Sequence, residues 1–110
     1  MIRITILYPA TPGVRFDADY YVTRHIPLAL QLLGQAVTAV SVDIGSSPGP
    51  PWPAPAFAAI CTFTCETLEA YQRALFPHAA QLQADLANYS DAAPLVQISE
   101  VALDQALTPS

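Results

Sequence analysis

Apolar and polar positions alternate from the second residue onward: Ile2, Ile4, Ile6 and Tyr8 interleave with Arg3, Thr5 and Leu7. A period of two places the first set on one side of an extended chain, so residues 2–8 are predicted as a strand with one strongly apolar face. Pro9 to Gly13 breaks the pattern. A helical period then begins behind Phe16-Asp17-Ala18-Asp19-Tyr20-Tyr21. Asp17 suits an N-cap, Asp19 adds negative charge to the first turn, and Phe16 and Tyr21 stand at hydrophobic-staple positions. The helix is predicted over 18–33 and should stop at Gly34. Pro27 lies inside it, has no N–H to give the Thr23 carbonyl, and predicts a kink near 23–27.

Residues 37–45, rich in Val and Ile, read as a second strand. The stretch 46–55 carries five prolines and two consecutive serines, cannot pair in a sheet, and must be a loop. Residues 57–65 make a third strand. Thr67 caps a second helix that Pro77 interrupts and that runs to about Leu86. Asn88-Tyr89-Ser90-Asp91 is a turn, 95–103 the last strand, and 105–110 a tail behind one domain of residues 1–104.

The order β-α-β-β-α-β is the ferredoxin-like arrangement of the α+β class. Right-handed crossovers put both helices on one face of a four-stranded antiparallel sheet. Each strand has apolar residues on both faces, as in Phe57, Ala59, Cys61 and Phe63 against Ala58, Ile60 and Thr62 of the third, so the open face needs a cover of its own. Composition agrees. Apolar residues are 53% of the chain and charged residues 12%, where soluble domains carry about 25% charged. A homodimer formed through the sheet faces would bury the excess.

Four arginines, no lysine and nine acids give a net charge of −5 without a basic stripe. Nucleic acid binding draws its affinity from cations on phosphates, so that class is set aside, as are anionic membrane surfaces. The first residues are not a basic patch followed by a long apolar run, and no stretch nears the roughly 20 apolar residues of a membrane helix. A soluble, cytoplasmic protein is expected. Cys61 and Cys65 share a strand face about 13 Å apart, too far for a disulfide, and read as reduced packing residues.

The first helix holds the suggestive chemistry. Tyr21, His25 and Leu28 recur at i, i+4 and i+7 and share a face, with Tyr20 and Arg24 on the neighbouring stripe. If a carbonyl freed at the Pro27 kink orients one His25 nitrogen, the other can exchange a proton near neutral pH. Equally, His25 could do no more than satisfy that loose backbone, with Tyr21 as core. His78 reads as an exposed helix-start residue. Asp85 and Asp91 flank a turn, where capping is the usual task of Asp, and Asp43 precedes the long loop. Phosphate loops, His-Glu-x-x-His and Gly-x-Ser-x-Gly are absent, and two distant histidines argue against a zinc site.

Tyr8-Pro9 followed by Phe16-Asp17-x-Asp19-Tyr20-Tyr21-x-x-x-His25-x-Pro27-Leu28 resembles the N-terminal signature of EthD-like proteins. Asp85-x-x-Asn88-Tyr89-Ser90-Asp91-x-x-Pro94-x-x-Gln97-Ile98-x-Glu100 is similar to that family's C-terminal block. The proline-rich loop departs from it in composition. The resemblance implies a dimeric α/β barrel, with a cavity between each sheet and its helices. By name it links the chain to the degradation of ethyl tert-butyl ether. Related barrels include cofactor-free monooxygenases, isomerases, polyketide cyclases and haem enzymes. The expectation is a protein without a cofactor or metal that takes a small, largely apolar organic molecule. His25 would move a proton and Tyr21 orient the substrate, with Asp19, Tyr20 and Leu28 as substrate-binding candidates. The alternative is a non-catalytic accessory protein of a catabolic pathway. An open cavity reached by His25 favours the first, and a closed core with His25 on backbone favours the second.

Overall fold

The computed structural model describes residues 1–108, so the last two residues of the expected tail lie outside the described residues. Four strands, β1 (Ile2–Pro9), β2 (Ala39–Ile44), β3 (Phe57–Cys65) and β4 (Leu95–Glu100), form one sheet in the order β2-β3-β1-β4. Every pairing is antiparallel. The fold is α+β and ferredoxin-like, as the pattern predicts.

Register follows the alternation. Ile4 of β1 stands between Phe63 and Ile98, Ile6 between Cys61 and Val96, and Tyr8 opposite Ala59. This face turns towards the helices, and Ile4, Tyr8, Ala59, Cys61, Phe63 and Cys65 are buried on it. The opposite face carries Arg3, Thr5 and Leu7, flanked by Ile60, Thr62, Thr64 and by Leu95, Gln97, Ser99. It is mixed rather than apolar: Thr62 and Thr64 of β3 lie among Thr5, Ser41 and Ser99 of the neighbouring strands, with Arg3, Asp43 and Gln97 beside them. Cys61 and Cys65 are free and buried, and burial pushes the Cys61 thiol up to about 11.

Two strands are shorter than predicted. β4 ends at Glu100 rather than 103 because its partner runs out: Glu100 stands opposite Ile2, and the Val101 N–H donates to the Met1 carbonyl. Beyond it the Arg3–Asp104 ion pair, 3.1 Å, is the next tie, and residues 105–108 are exposed without regular structure. β2 spans Ala39–Ile44, although the Thr38 and Gly45 N–H groups still bond to Thr64 and Ala58. Residues 46–55 form no strand, and Trp52 in this loop is 67% exposed.

Each helical run starts on its predicted cap. Asp17 accepts from the Tyr20 N–H at 3.0 Å and Thr67 from the Ala70 N–H at 3.1 Å. The first run ends at Gly34, whose φ of 58° lies in the left-handed region. The second is broken at Pro77 into α segments Leu68–Leu75 and Ala79–Asp85 joined by a 3₁₀ turn, and a last 3₁₀ turn covers Leu86–Asn88. Among the described residues no helix is long and apolar enough to cross a membrane.

The response to Pro27 differs from a simple kink. Ala18–Tyr20 and Ile26–Leu33 are α-helical, but Tyr21–His25 forms a π turn, in which the Ile26 N–H donates to the Tyr21 carbonyl five residues back. The missing N–H of Pro27 is thus absorbed one turn early, as an extra residue in the helix. The Thr23 hydroxyl donates to the Asp19 carbonyl at 2.6 Å inside the widened turn. The inserted residue shifts the inward stripe by one place, to Tyr21, His25, Ile26, Ala29 and Leu33, all buried. Leu28, inward by a 3.6-residue count, is left half-buried beside it.

Candidate functional site

The site lies where the two sequence blocks meet. The Asp17 N–H donates to the Tyr89 carbonyl at 2.7 Å, and Phe16 and Ser90 form an isolated antiparallel bridge. Arg15 reaches the Ala87 and Asn88 carbonyls at 2.8 and 3.4 Å, closing the end of the second helical run, and pairs with Asp91. This clasp holds Tyr89 beneath the first helix. Tyr8, Phe16, Tyr21 and Tyr89 pack as one aromatic cluster with ring centroids 5.0 to 5.8 Å apart.

His25 joins that cluster, stacked on Tyr21 at 5.4 Å and tilted against Tyr89 at 4.6 Å. Its Nδ1 is 2.8 Å from Asp85 Oδ2, both side chains being largely buried. A carboxylate can only accept, so Nδ1 carries a hydrogen, and in the neutral ring Nε2 then keeps its lone pair. The other Asp85 oxygen accepts from the Tyr20 hydroxyl at 2.7 Å and from Asn88 Nδ2 at 2.9 Å. Burial alone would push the Asp85 carboxyl up, but the hydrogen bonds from Asn88, His25 and Tyr20 outweigh it and hold the group below the usual carboxylate range. Asp85 therefore stays charged beside the imidazole.

The remaining nitrogen, Nε2, lies 3.4 Å from the Tyr89 hydroxyl, which in turn is 2.8 Å from the Tyr8 hydroxyl. Burial pushes both phenols above the ordinary tyrosine value. The Tyr21 hydroxyl is also buried. It sits near Tyr8 and Cys61 without reaching hydrogen-bond geometry with either.

These groups border a cavity of about 370 Å³ between the sheet and the helices. Its walls are mainly apolar, with Ile6, Phe63 and Val96 from the sheet and Ile26, Ala29, Leu33, Leu75, Leu82 and Leu86 from the helices. Tyr8, Tyr21, His25 and Tyr89 make its polar end, and Tyr71 and Gln83 also border it. No Lys or Arg borders it. Among the described residues, no group of three or more His, Cys, Asp or Glu is arranged to hold a metal ion.

Of the residues singled out from sequence, Tyr21 and His25 border the cavity. Tyr20 lies outside it and bonds to Asp85. Asp19 is exposed in the first turn and Leu28 is off the cavity wall. Asp85 and Tyr89 were not singled out as site residues. Asp85 is the partner of His25 rather than a turn cap, and the backbone carbonyl expected to orient the imidazole is not its partner. The available signal was Asp85-x-x-Asn88-Tyr89 itself, whose spacing places an acid, an amide and a phenol around one helix end.

The family model of the EthD domain matches residues 15–93, a span that holds both the first-helix motif and the Asp85–Asp91 block. Among curated proteins none matches. The structure is similar to that of an EthD-like protein from Ralstonia eutropha JMP134, at 39% identity, with 96% of this chain and 95% of that one covered and a TM-score of 0.89. It also resembles an EthD family protein from Bacillus halodurans C-125, at 18% identity, 92% and 98% coverage and a TM-score of 0.68. A dimeric ferredoxin-like protein of unknown function from Thermobifida fusca YX shares the fold at 14% identity, 91% and 90% coverage and a TM-score of 0.53. The two motif blocks, the family match across both of them, and the 39% identity over nearly the full chain converge on one conclusion: this chain belongs to the EthD family.

Proposed function

We propose that the protein binds a small, largely apolar organic molecule between its sheet and helices and removes a proton from it, with His25 as general base and no cofactor. The observation that carries this reading is the pairing of an apolar cavity of about 370 Å³ with a carboxylate-oriented imidazole at its polar end. A neutral imidazole with Nδ1–H held by Asp85 is the arrangement in which Nε2 accepts a proton and the resulting imidazolium is stabilised by the adjacent charge. Tyr21, stacked on the imidazole, would keep the ring aligned and orient the ligand. The reaction class is the isomerisation or oxygenation of an activated carbon acid in a catabolic pathway.

The protein would act as a homodimer joined through the open sheet face, where Leu7, Ile60 and Leu95 lie among Thr and Ser residues. The Thermobifida fusca neighbour, named as dimeric, supports that arrangement. Two unbridged thiols suit the reducing cytoplasm. Sedimentation equilibrium should give the mass of two chains, and a single-chain mass at micromolar concentration would remove the dimer from the proposal.

The test of the site uses two probes. N-phenyl-1-naphthylamine, neutral and apolar, should brighten on binding, and Ala29→Phe, which fills the cavity from the buried Ala29 position, should abolish the signal while the circular dichroism spectrum is retained. In D2O the protein should accelerate deuterium exchange at the α-carbon of 2-tetralone, and His25→Gln should remove the acceleration. Dye binding without any such exchange would favour the accessory role, because the cavity would then hold a ligand without acting on it.

A further inference from the structure

We infer that Tyr71 is a second polar anchor of the cavity, and that the ligand is a small apolar molecule with an oxygen substituent at the end remote from His25. This rests on the reading of the cavity as a ligand site, and adds a positioning residue and the layout of the molecule it holds.

The course of the two helical runs over the sheet fixes where Tyr71 lies. Tyr8 stands opposite Ala59 and Ile2 opposite Cys65, so these pairs mark the two ends of β1 and β3. The first run has His25 at the Tyr8 end, against Tyr89. It carries Ala29 and Leu33 towards the Cys65 end, where the Thr38 N–H meets the Thr64 carbonyl. The second run starts at Leu68, just beyond Cys65, and meets His25 only at Asp85. Tyr71 is in the first turn of that run. His25 and Tyr71 therefore stand at opposite ends of the cavity. The helix rise from His25 to Leu33 alone is roughly 12 Å, and the wall along it (Ile26, Ala29, Leu33, Phe63, Leu75) is apolar.

Tyr71 is 8% exposed and borders the cavity. Its hydroxyl makes no hydrogen bond among the described residues. Burial pushes that hydroxyl up to about 12, with the Cys65 and Cys61 thiols acting in the same direction. The Tyr21 hydroxyl, also unpaired, is sealed from solvent, and the Tyr71 hydroxyl is not. The cavity is the space from which Tyr71 can be reached. Gln83, the remaining polar side chain on the wall, is exposed at the rim, where water meets its amide. A phenol both donates and accepts, so a ligand hydroxyl or carbonyl suits Tyr71 equally. A wholly apolar ligand would shut its hydroxyl off from water with no partner, which is costly at a buried site.

The test compares 2-tetralone with 6-hydroxy-2-tetralone, whose hydroxyl lies across the bicycle from the ketone and its exchangeable α-carbons. Displacement of N-phenyl-1-naphthylamine at pH 7 gives the affinities, and deuterium exchange at the α-carbon gives turnover. Tyr71→Phe should weaken 6-hydroxy-2-tetralone about tenfold more than 2-tetralone, the discrimination available from one hydrogen bond at a buried site. That loss should fall on the KM of exchange rather than on kcat, because the contact is remote from the reacting carbon. Equal losses for the two ketones, or a differential loss in Gln83→Ala in place of Tyr71→Phe, would overturn the assignment. If His25→Gln leaves exchange intact while the Tyr71 differential stands, the general base is wrong and the anchor is kept. If neither ketone nor the dye binds the parent protein, the cavity reading falls and this inference with it.

Discussion

Replacing Tyr21 with alanine should destabilise the protein by about 3–5 kcal/mol, the range for truncating a fully buried aromatic, the largest effect expected of any single change considered. Tyr21 has 0% of its surface exposed and lies against four rings, those of Tyr8, Phe16, His25 and Tyr89. Truncation would open a hole under the π turn and release the stacking that holds the imidazole. The hydroxyl has a different role from the ring. It is buried without a hydrogen-bond partner, so Tyr21→Phe removes a polar atom that burial penalises and should be neutral or stabilising by up to about 2 kcal/mol. Urea denaturation of the two variants measures both. A loss of several kcal/mol in Tyr21→Phe would show that the hydroxyl has a partner after all.

The second large effect is expected at Asp85. Asp85→Ala deprives the His25 Nδ1–H, the Tyr20 hydroxyl and the Asn88 amide of their shared acceptor, and should cost about 2–3 kcal/mol at pH 7, the scale of hydrogen bonds to a charged group. The pH dependence has a definite sign. The native carboxyl titrates below its ordinary value, whereas in the unfolded chain it titrates near pH 4. The stabilisation from the charged form is therefore complete above about pH 4 and is lost as the pH falls through the lower native value. The denaturation midpoints of the parent protein and Asp85→Asn should differ at pH 7 and converge in acid. A gap that stays constant from pH 7 to pH 2 would show that the carboxylate charge is not what stabilises this end of the helix.

The sheet was readable from the chain because its information is local. The alternation in β1, the cap residues Asp17 and Thr67 and the stop at Gly34 each depend on neighbours a few positions away. The misplaced features depend on partners. β4 ends where β1 begins, which no residue between 100 and 103 encodes. Leu28 was assigned to the inward stripe by counting 3.6 residues per turn, and the π turn invalidates the count by one. Pro27 signalled a disturbance there but not its form. Half of the site was legible in the same way. Tyr21 and His25 sit one turn apart on one helix and meet by local geometry. Asp85 is 60 positions from His25 and Tyr89 is 64, so their part in the site appears only when the sheet brings the chain ends together. Read locally, an Asp near a turn is a cap.

The clasp between residues 15–17 and 87–91 bears on how the chain matures during synthesis. Tyr8 leaves the ribosome 81 positions ahead of the phenol it bonds to. At about 5–20 residues per second this is a wait of roughly 4–16 s. Through that interval the apolar side of β1 and the aromatic stripe of the first helix are without the segment that covers them, and contacts of such long sequence separation are slow to close. Heat or crowding in the cell would exert its effect at this stage, on a nascent chain that already has most of its sheet but not yet its imidazole–carboxylate pair. Yield of soluble protein at elevated growth temperature, more than the melting point of the finished molecule, would then be what substitutions at Arg15 and Asp91 alter.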